Sequence, residues 1–193
     1  FLLLPLTALA QPAPWIDPVE DARHFGAADK VLFWTPEQQV AGYRNMDRIV
    51  PVRRIRAGDA PLPLPERPVD LDGLRVVHDG GASTVAELLE RLSVAGLLVI
   101  KDGAVVYERY RLGNDRDTRW ISYSVAKSVV SMLVGAAIRD GYIESVDEKV
   151  SDYLPRLKGS AYDQATLRDI LQMASGVAWD ETYDDPQSDV NQA

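Results

Sequence analysis

The chain has 193 residues, 46% of them hydrophobic and 26% charged, with a formal net charge of −8. This is the composition of a water-soluble globular protein, and the acidic balance argues against a polyanionic partner such as nucleic acid. There is no cysteine, which excludes disulfides, thiolate nucleophiles, thiolate zinc sites and a lipoprotein anchor. The two histidines, His24 and His78, are too few and too far apart to suggest a metal site, so no cofactor is expected.

Residues 1–10, Phe1-Leu-Leu-Leu-Pro-Leu-Thr-Ala-Leu-Ala10, form an apolar run that closes on the small-x-small pattern Ala8-Leu9-Ala10. The pattern is that of an export-signal remnant, although no initiator Met or basic segment precedes it; the competing reading is an apolar strand. Export places the mature chain in the periplasm or outside the cell. The run is too short to span a bilayer, and no membrane span is expected elsewhere. Residues 11–82 are rich in proline, with Gln11-Pro-Ala-Pro14 and Pro61-Leu-Pro-Leu-Pro65. Each proline fixes φ and disfavours helix before it, so this region reads as an irregular extension draped over a core. One short helix is expected from Thr35, with Pro36 at its first position.

From residue 83 to 193 the patterning is that of a folded domain. Thr84-Val-Ala-Glu87 is a capping box and predicts a helix over 84–93. Leu97–Ile100 and Ala104–Tyr107 flank Asp102-Gly103, a turn pair that tolerates positive φ, so a β-hairpin is expected. Arg119–Ser122 reads as a further short strand. A long apolar helix follows from Ser124 to Ile138 and ends at Gly141, and Thr166-Leu-Arg-Asp169 opens another that Ser175-Gly176 closes.

Lys127 is the residue that this pattern does not explain. It lies in the first turn of the long helix, with no other charge until Arg139. The helix is apolar on nearly every face and is expected to be buried. Burial and the positive end of the helix dipole both disfavour a cation there. Ser124 lies three residues earlier on the same face, and a hydroxyl beside an amine able to accept a proton is what a serine nucleophile needs. Backbone N–H groups at a helix start also offer to stabilise an oxyanion. Ser-x-x-Lys alone is a weak signal; the competing reading is that Ser124 caps the helix while Lys127 carries its amine out to water.

Several longer blocks add to it. Tyr123–Ser128, Val134–Ile138, Asp140–Ile143, Tyr153–Pro155, Lys158–Asp163 and Leu167–Met173 together resemble the serine hydrolases related to class C β-lactamases. The branch that looks most similar is that of the 6-aminohexanoate-dimer hydrolases and related esterases. The resemblance covers about residues 84–190, and more loosely 33–56. It implies an α+β fold, an antiparallel sheet flanked by helices as in β-lactamases and D-alanyl-D-alanine peptidases. It also implies a small-molecule amide or ester substrate, with Ser124 as nucleophile and Lys127 as its activating base. Glu181-Thr-Tyr-Asp-Asp-Pro186 resembles a stretch whose tyrosine lines the substrate pocket in amide-hydrolysing members, which makes Tyr183 a candidate substrate contact, against the alternative of a packed loop aromatic. Ser175-Gly176 resembles a Ser-Gly in the family but reads equally as a helix end.

Two motifs of that family are not found after the serine: a Tyr-x-Asn or Tyr-x-Ser, and a Lys-Thr-Gly or His variant. Tyr43-Arg-Asn45 precedes the nucleophile, and Lys158-Gly-Ser160 lies too near it. The expectation is therefore an N-terminal fragment, inactive alone, with an incomplete sheet and exposed apolar edges. The leading reading is a serine hydrolase acting through a Ser124 acyl-enzyme. A β-lactamase or D-alanyl-D-alanine carboxypeptidase, a non-catalytic binding module on the same fold, and a Ser–Lys peptidase on another fold are the alternatives. No Gly-x-Ser-x-Gly elbow, phosphate loop or dinucleotide fingerprint occurs. Oligomeric state is not encoded in any pattern recognised here.

Overall fold

The computed structural model describes residues 12–56, 58–78 and 81–192, so the export-signal expectation for residues 1–10 lies outside it. The chain forms two compact units, one ending at Ile121 and the other beginning at Ser122. No helix among the described residues is long and apolar enough to cross a membrane.

The first unit opens with two short 3-10 helices, Pro18–Arg23 and Ala28–Phe33. Helix α1, Pro36–Tyr43, starts where Thr35 predicts it: the Thr35 hydroxyl accepts from the Gln38 N–H and the Gln38 side chain accepts from the Thr35 N–H. Helix α2, Met46–Ile49, is a single turn. Strands β1 (Arg75–His78) and β2 (Gly81–Thr84) form a small antiparallel hairpin that the sequence did not announce. Helix α3, Val85–Arg91, carries the Thr84/Glu87 capping box. Strands β3 (Gly96–Lys101) and β4 (Ala104–Tyr110) form the predicted hairpin, with Asp102 and Gly103 both at positive φ in its turn. Residues 65–69 run parallel to β4: the Val105 N–H donates to Pro65 O, and the Arg67 and Val69 N–H groups donate to Val105 O and Val106 O.

The proline-rich region is not merely a cover. Ile16, Val40 and Ala41 form a buried apolar cluster, with Ala13, Phe25 and Leu112 packed against it. Beside them Arg44 and Asp21 are a fully buried ion pair. Arg44 Nε and Nη2 donate to the two Asp21 carboxylate oxygens at 2.8 and 2.5 Å, Nη2 also reaches Ile16 O at 3.0 Å, and Nη1 donates to Leu112 O. The Asn45 amide adds a further bond to Asp21. A charge pair is tolerated in an apolar site only when its donors and acceptors are satisfied in this way. Further along, the Ile121 N–H donates to Tyr43 O, Arg119 pairs with Asp47, and the Tyr43 ring sits between Trp34 and Trp120. Residues 119–122 make no strand ladder, contrary to expectation: the Ile121 N–H is engaged by Tyr43 O at the end of α1 and not by a neighbouring strand.

The second unit begins with helix α4, Val125–Arg139. Its end is the predicted one: Gly141 takes φ +79°, and the N–H groups of Gly141 and Tyr142 return to Ile138 O and Ala137 O, a Schellman closure. Helix α5, Val150–Tyr153, leads to a 3-10 turn at Pro155–Leu157. Residues 146–150 lie against 165–168 through hydrogen bonds from Val150 to Ala165, Leu167 to Glu148 and Arg168 to Val146. Val150, Ser151 and Ala165 are buried at this seam. Helix α6, Leu167–Leu171, begins with the Thr166/Asp169 box. It stops earlier than Ser175-Gly176, because Met173 adopts φ +55° and the Met173 and Ala174 N–H groups close back on Ile170 O and Asp169 O. Helix α7, Asp189–Gln192, is one turn.

The expectation of a buried α4 fails: none of its residues is buried, and Met132 is 73% exposed. Leu98 and Ile100 of β3 are half exposed too.

Two substitutions test the packing of the first unit. Ala favours helix over Gly by about 1 kcal/mol. At Gly42, however, an added methyl would lie 2.2 Å from Cζ3 of the buried Trp34 ring, which has no free end to swing away. Overpacking of that kind costs about 1–3 kcal/mol or more, so Gly42→Ala should lower the urea midpoint despite the better helix former. Asp21→Ala leaves the Arg44 charge buried and unpaired and should cost about 3–5 kcal/mol by the same measurement.

Candidate active site

Ser124 stands at the N-cap of α4, and its hydroxyl makes no capping bond. Its backbone is already helical, φ −65° and ψ −9°, which turns the side chain away from the N–H groups that a capping serine reaches. Tyr123 before it takes φ +43°, a left-handed turn that a bulky residue adopts only under constraint. One helical turn on, Lys127 Nζ donates to Ser124 Oγ at 3.0 Å. The i, i+3 spacing thus brings the two side chains together; of the competing reading, the capping bond is absent while the exposure of Lys127 to water is present.

Two parts of the expectation change. Lys127 and Ser124 are both exposed, so the burial foreseen for the amine is not provided by the described residues. Nor are the first N–H groups of the helix open: those of Val125, Ala126 and Lys127 return to Ser122 O, Tyr123 O and Ser124 O at 3.0–3.1 Å, a tight 3-10 entry. The Ser124 N–H has no partner among the described residues and is the donor left at this turn.

Tyr183 lies in an irregular loop, 47% exposed, and its hydroxyl has no hydrogen-bond partner among the described residues. No hydrogen bond joins it to Ser124 or Lys127. The side chain is thus half exposed, without a hydrogen bond of its own among the described residues. The loop around it is nonetheless ordered by polar contacts. Asp180 Oδ1 accepts from the N–H and hydroxyl of Thr182, the Asp180 N–H donates to Asp189, and the Val190 N–H donates to Asp180 O. Ser188 is buried and donates to Asp185 O. The Asn191 amide donates to four oxygens in the same loop. Sequence reasoning missed Asp180 and Asn191; the Asp-x-Thr spacing at 180–182 is the one local signal that could have pointed to a polar turn.

No group of three or more His, Asp or Glu side chains suited to a metal occurs among the described residues. A half-open cleft of about 380 Å3 in the first unit is lined by Val94, Gly96, Tyr110, Asn114, Thr118 and Trp120 and contains neither Ser124 nor Lys127.

Comparison with known proteins gives the family. The profile of the Beta-lactamase family matches residues 82–193. The chain belongs to the Beta-lactamase family. It is 31% identical over 151 residues to the 6-aminohexanoate-dimer hydrolase of Paenarthrobacter ureafaciens, a match covering 77% of this chain and 36% of the relative. It is 29% identical over 103 residues to a beta-lactamase of Pseudomonas fluorescens, covering 49% of this chain and 28% of the relative. A solved structure from Bacillus anthracis, assigned as a 6-aminohexanoate-dimer hydrolase, superposes with a TM-score of 0.62 at 22% identity over 69% of this chain and 34% of that one. The fold is therefore β-lactamase-like, mixed helices with small antiparallel sheets, as expected. The matches span about a third of the length of these relatives.

The Tyr183 loop makes a pH prediction. The Thr182 hydroxyl and N–H hold the Asp180 carboxyl below its ordinary 3.8. A depressed carboxyl stabilises the loop fully above 3.8, and that contribution disappears as pH falls through the lower folded value. By NMR titration the Asp180 midpoint should lie under 3.8 and rise toward it in Thr182→Ala.

Proposed function

We propose that this chain carries the nucleophile of a serine hydrolase that cleaves an amide or ester bond of a small molecule through a Ser124 acyl-enzyme. The observation that carries the reading is the 3.0 Å contact between Lys127 Nζ and a Ser124 hydroxyl free of any capping role. In the reaction this contact runs in the opposite sense. A neutral Lys127 amine accepts the Ser124 proton as Oγ attacks the carbonyl carbon, and the lysine then returns a proton to the leaving amine or alcohol. The Ser124 N–H is positioned to donate to the oxyanion. Water hydrolyses the ester that remains on Oγ, completing one turnover.

A neutral amine needs a drier setting than the described residues provide. We assign that desolvation to the rest of the protein: the apolar flank of α4 with Val125, Val129 and Met132 exposed is the surface to be covered, and the relatives are nearly three times as long as the matched stretch. Isolated, the 193 residues should turn over little substrate. The segment 181–186, with Tyr183 as substrate contact, and the longer match to an amide hydrolase favour a linear amide or ester over a β-lactam. We place the protein in the periplasm or outside the cell on the strength of Ala8-Leu9-Ala10.

An alkyl fluorophosphonate should label the intact protein at Ser124, and Ser124→Ala should abolish labelling; undiminished labelling there would remove the nucleophile. Lys127→Ala should slow acylation about 10²–10⁴-fold. Turnover of 6-aminohexanoate dimer or p-nitrophenyl esters, set against nitrocefin, separates the amidase or esterase reading from the lactamase one.

A further inference from the structure

The Tyr183 hydroxyl has no hydrogen-bond partner among the described residues to fix its direction, so its aim depends on the backbone from which it projects. That backbone belongs to no helix or strand. Two peptide groups flank Tyr183, and their orientations are its φ and ψ. The carbonyl of the first is Thr182 O, and that of the second is Tyr183 O. The Asn191 side-chain amide donates to both, at 3.3 and 3.2 Å. It also donates to Asp185 O at 2.8 Å and Ser188 Oγ at 3.0 Å.

An amide nitrogen has two hydrogens. The two short contacts seat Asn191 in the loop, and the two longer ones share its hydrogens with the carbonyls on either side of Tyr183. Asn191 is itself held: its own N–H donates to Ser188 O at 3.1 Å, while the neighbouring Val190 N–H ties the same turn to Asp180 O. The carbonyls of 182 and 183 are thus both turned toward one nitrogen. With both planes fixed, the Cα–Cβ direction of Tyr183 is fixed as well.

We infer that Asn191 is a positioning residue for substrate recognition: through the two peptide planes around Tyr183 it sets the direction in which that side chain meets the substrate. The inference rests on the reading of Tyr183 as a substrate contact. An aspartate at 191 would keep the shape and lose both N–H donors, setting a carboxylate against the three carbonyl oxygens of Thr182, Tyr183 and Asp185.

The test is a double-mutant cycle in the intact protein, with p-nitrophenyl acetate and butyrate as substrates and melting temperature as the control for folding. Losing contacts worth one hydrogen bond corresponds to about a three- to tenfold effect. Asn191→Ala should raise KM by that factor, with kcat and melting temperature nearly unchanged, and Asn191→Asp should raise KM at least as far. In a Tyr183→Ala background, which itself has a raised KM, Asn191→Ala should add nothing further, because the residue it aims is gone. If Tyr183→Ala raises KM while Asn191→Ala leaves it alone, or if the two effects multiply, the positioning role is overturned and the substrate contact stands. If Tyr183→Ala leaves KM unchanged, the substrate contact is overturned, and the positioning role with it.

Discussion

The site is built on the pitch of one helix. Residues three apart on an α-helix lie one above the other, so a serine at the cap position and a lysine in the first turn meet without help from the rest of the fold. Two local features leave the serine hydroxyl to that contact. The left-handed Tyr123 lets the chain enter α4 with Ser124 already helical, and that conformation withdraws the hydroxyl from capping. The first N–H groups then close on the carbonyls of 122–124, so the turn is satisfied without the serine side chain.

Each unit has its own polar scaffolding. In the first unit a single guanidinium, Arg44, joins Ile16, Asp21 and Leu112, residues distant in sequence, inside the region that composition marks as an irregular extension. In the second, the 180–192 loop is closed by Asp180, Ser188 and Asn191 and leaves Tyr183 projecting. The physical logic is shared: where apolar area is scarce, directional bonds to backbone carbonyls define a single conformation.

Chemistry and surroundings come apart at Lys127. The bonding distance is set locally and is present; the dryness expected of the amine is a property of neighbouring layers, and the described residues do not provide it. The chain belongs to the Beta-lactamase family, and the matches cover roughly a third of the length of the relatives.

The sequence by itself determined the local events. Helices start where Pro36, the Thr84 capping box and Thr166 mark them, Asp102-Gly103 turned the hairpin, Gly141 ended α4, and Ser-x-x-Lys set a hydroxyl and an amine face to face. Each depends on contacts within four or five residues, so composition and spacing suffice. Only the tertiary structure decided the rest. The β1–β2 hairpin, the parallel alignment of 65–69 on β4, the buried Arg44–Asp21 pair and the loop closure by Asn191 join residues whose partners no local pattern names. The early stop of α6 at Met173 and the lack of a strand at 119–122 belong with them: the first places a non-glycine residue at positive φ, and the second spends a backbone donor on Tyr43 O in a different segment. Burial was the other quantity beyond reach, because an apolar helix states only what it would cover and not whether a covering layer is there.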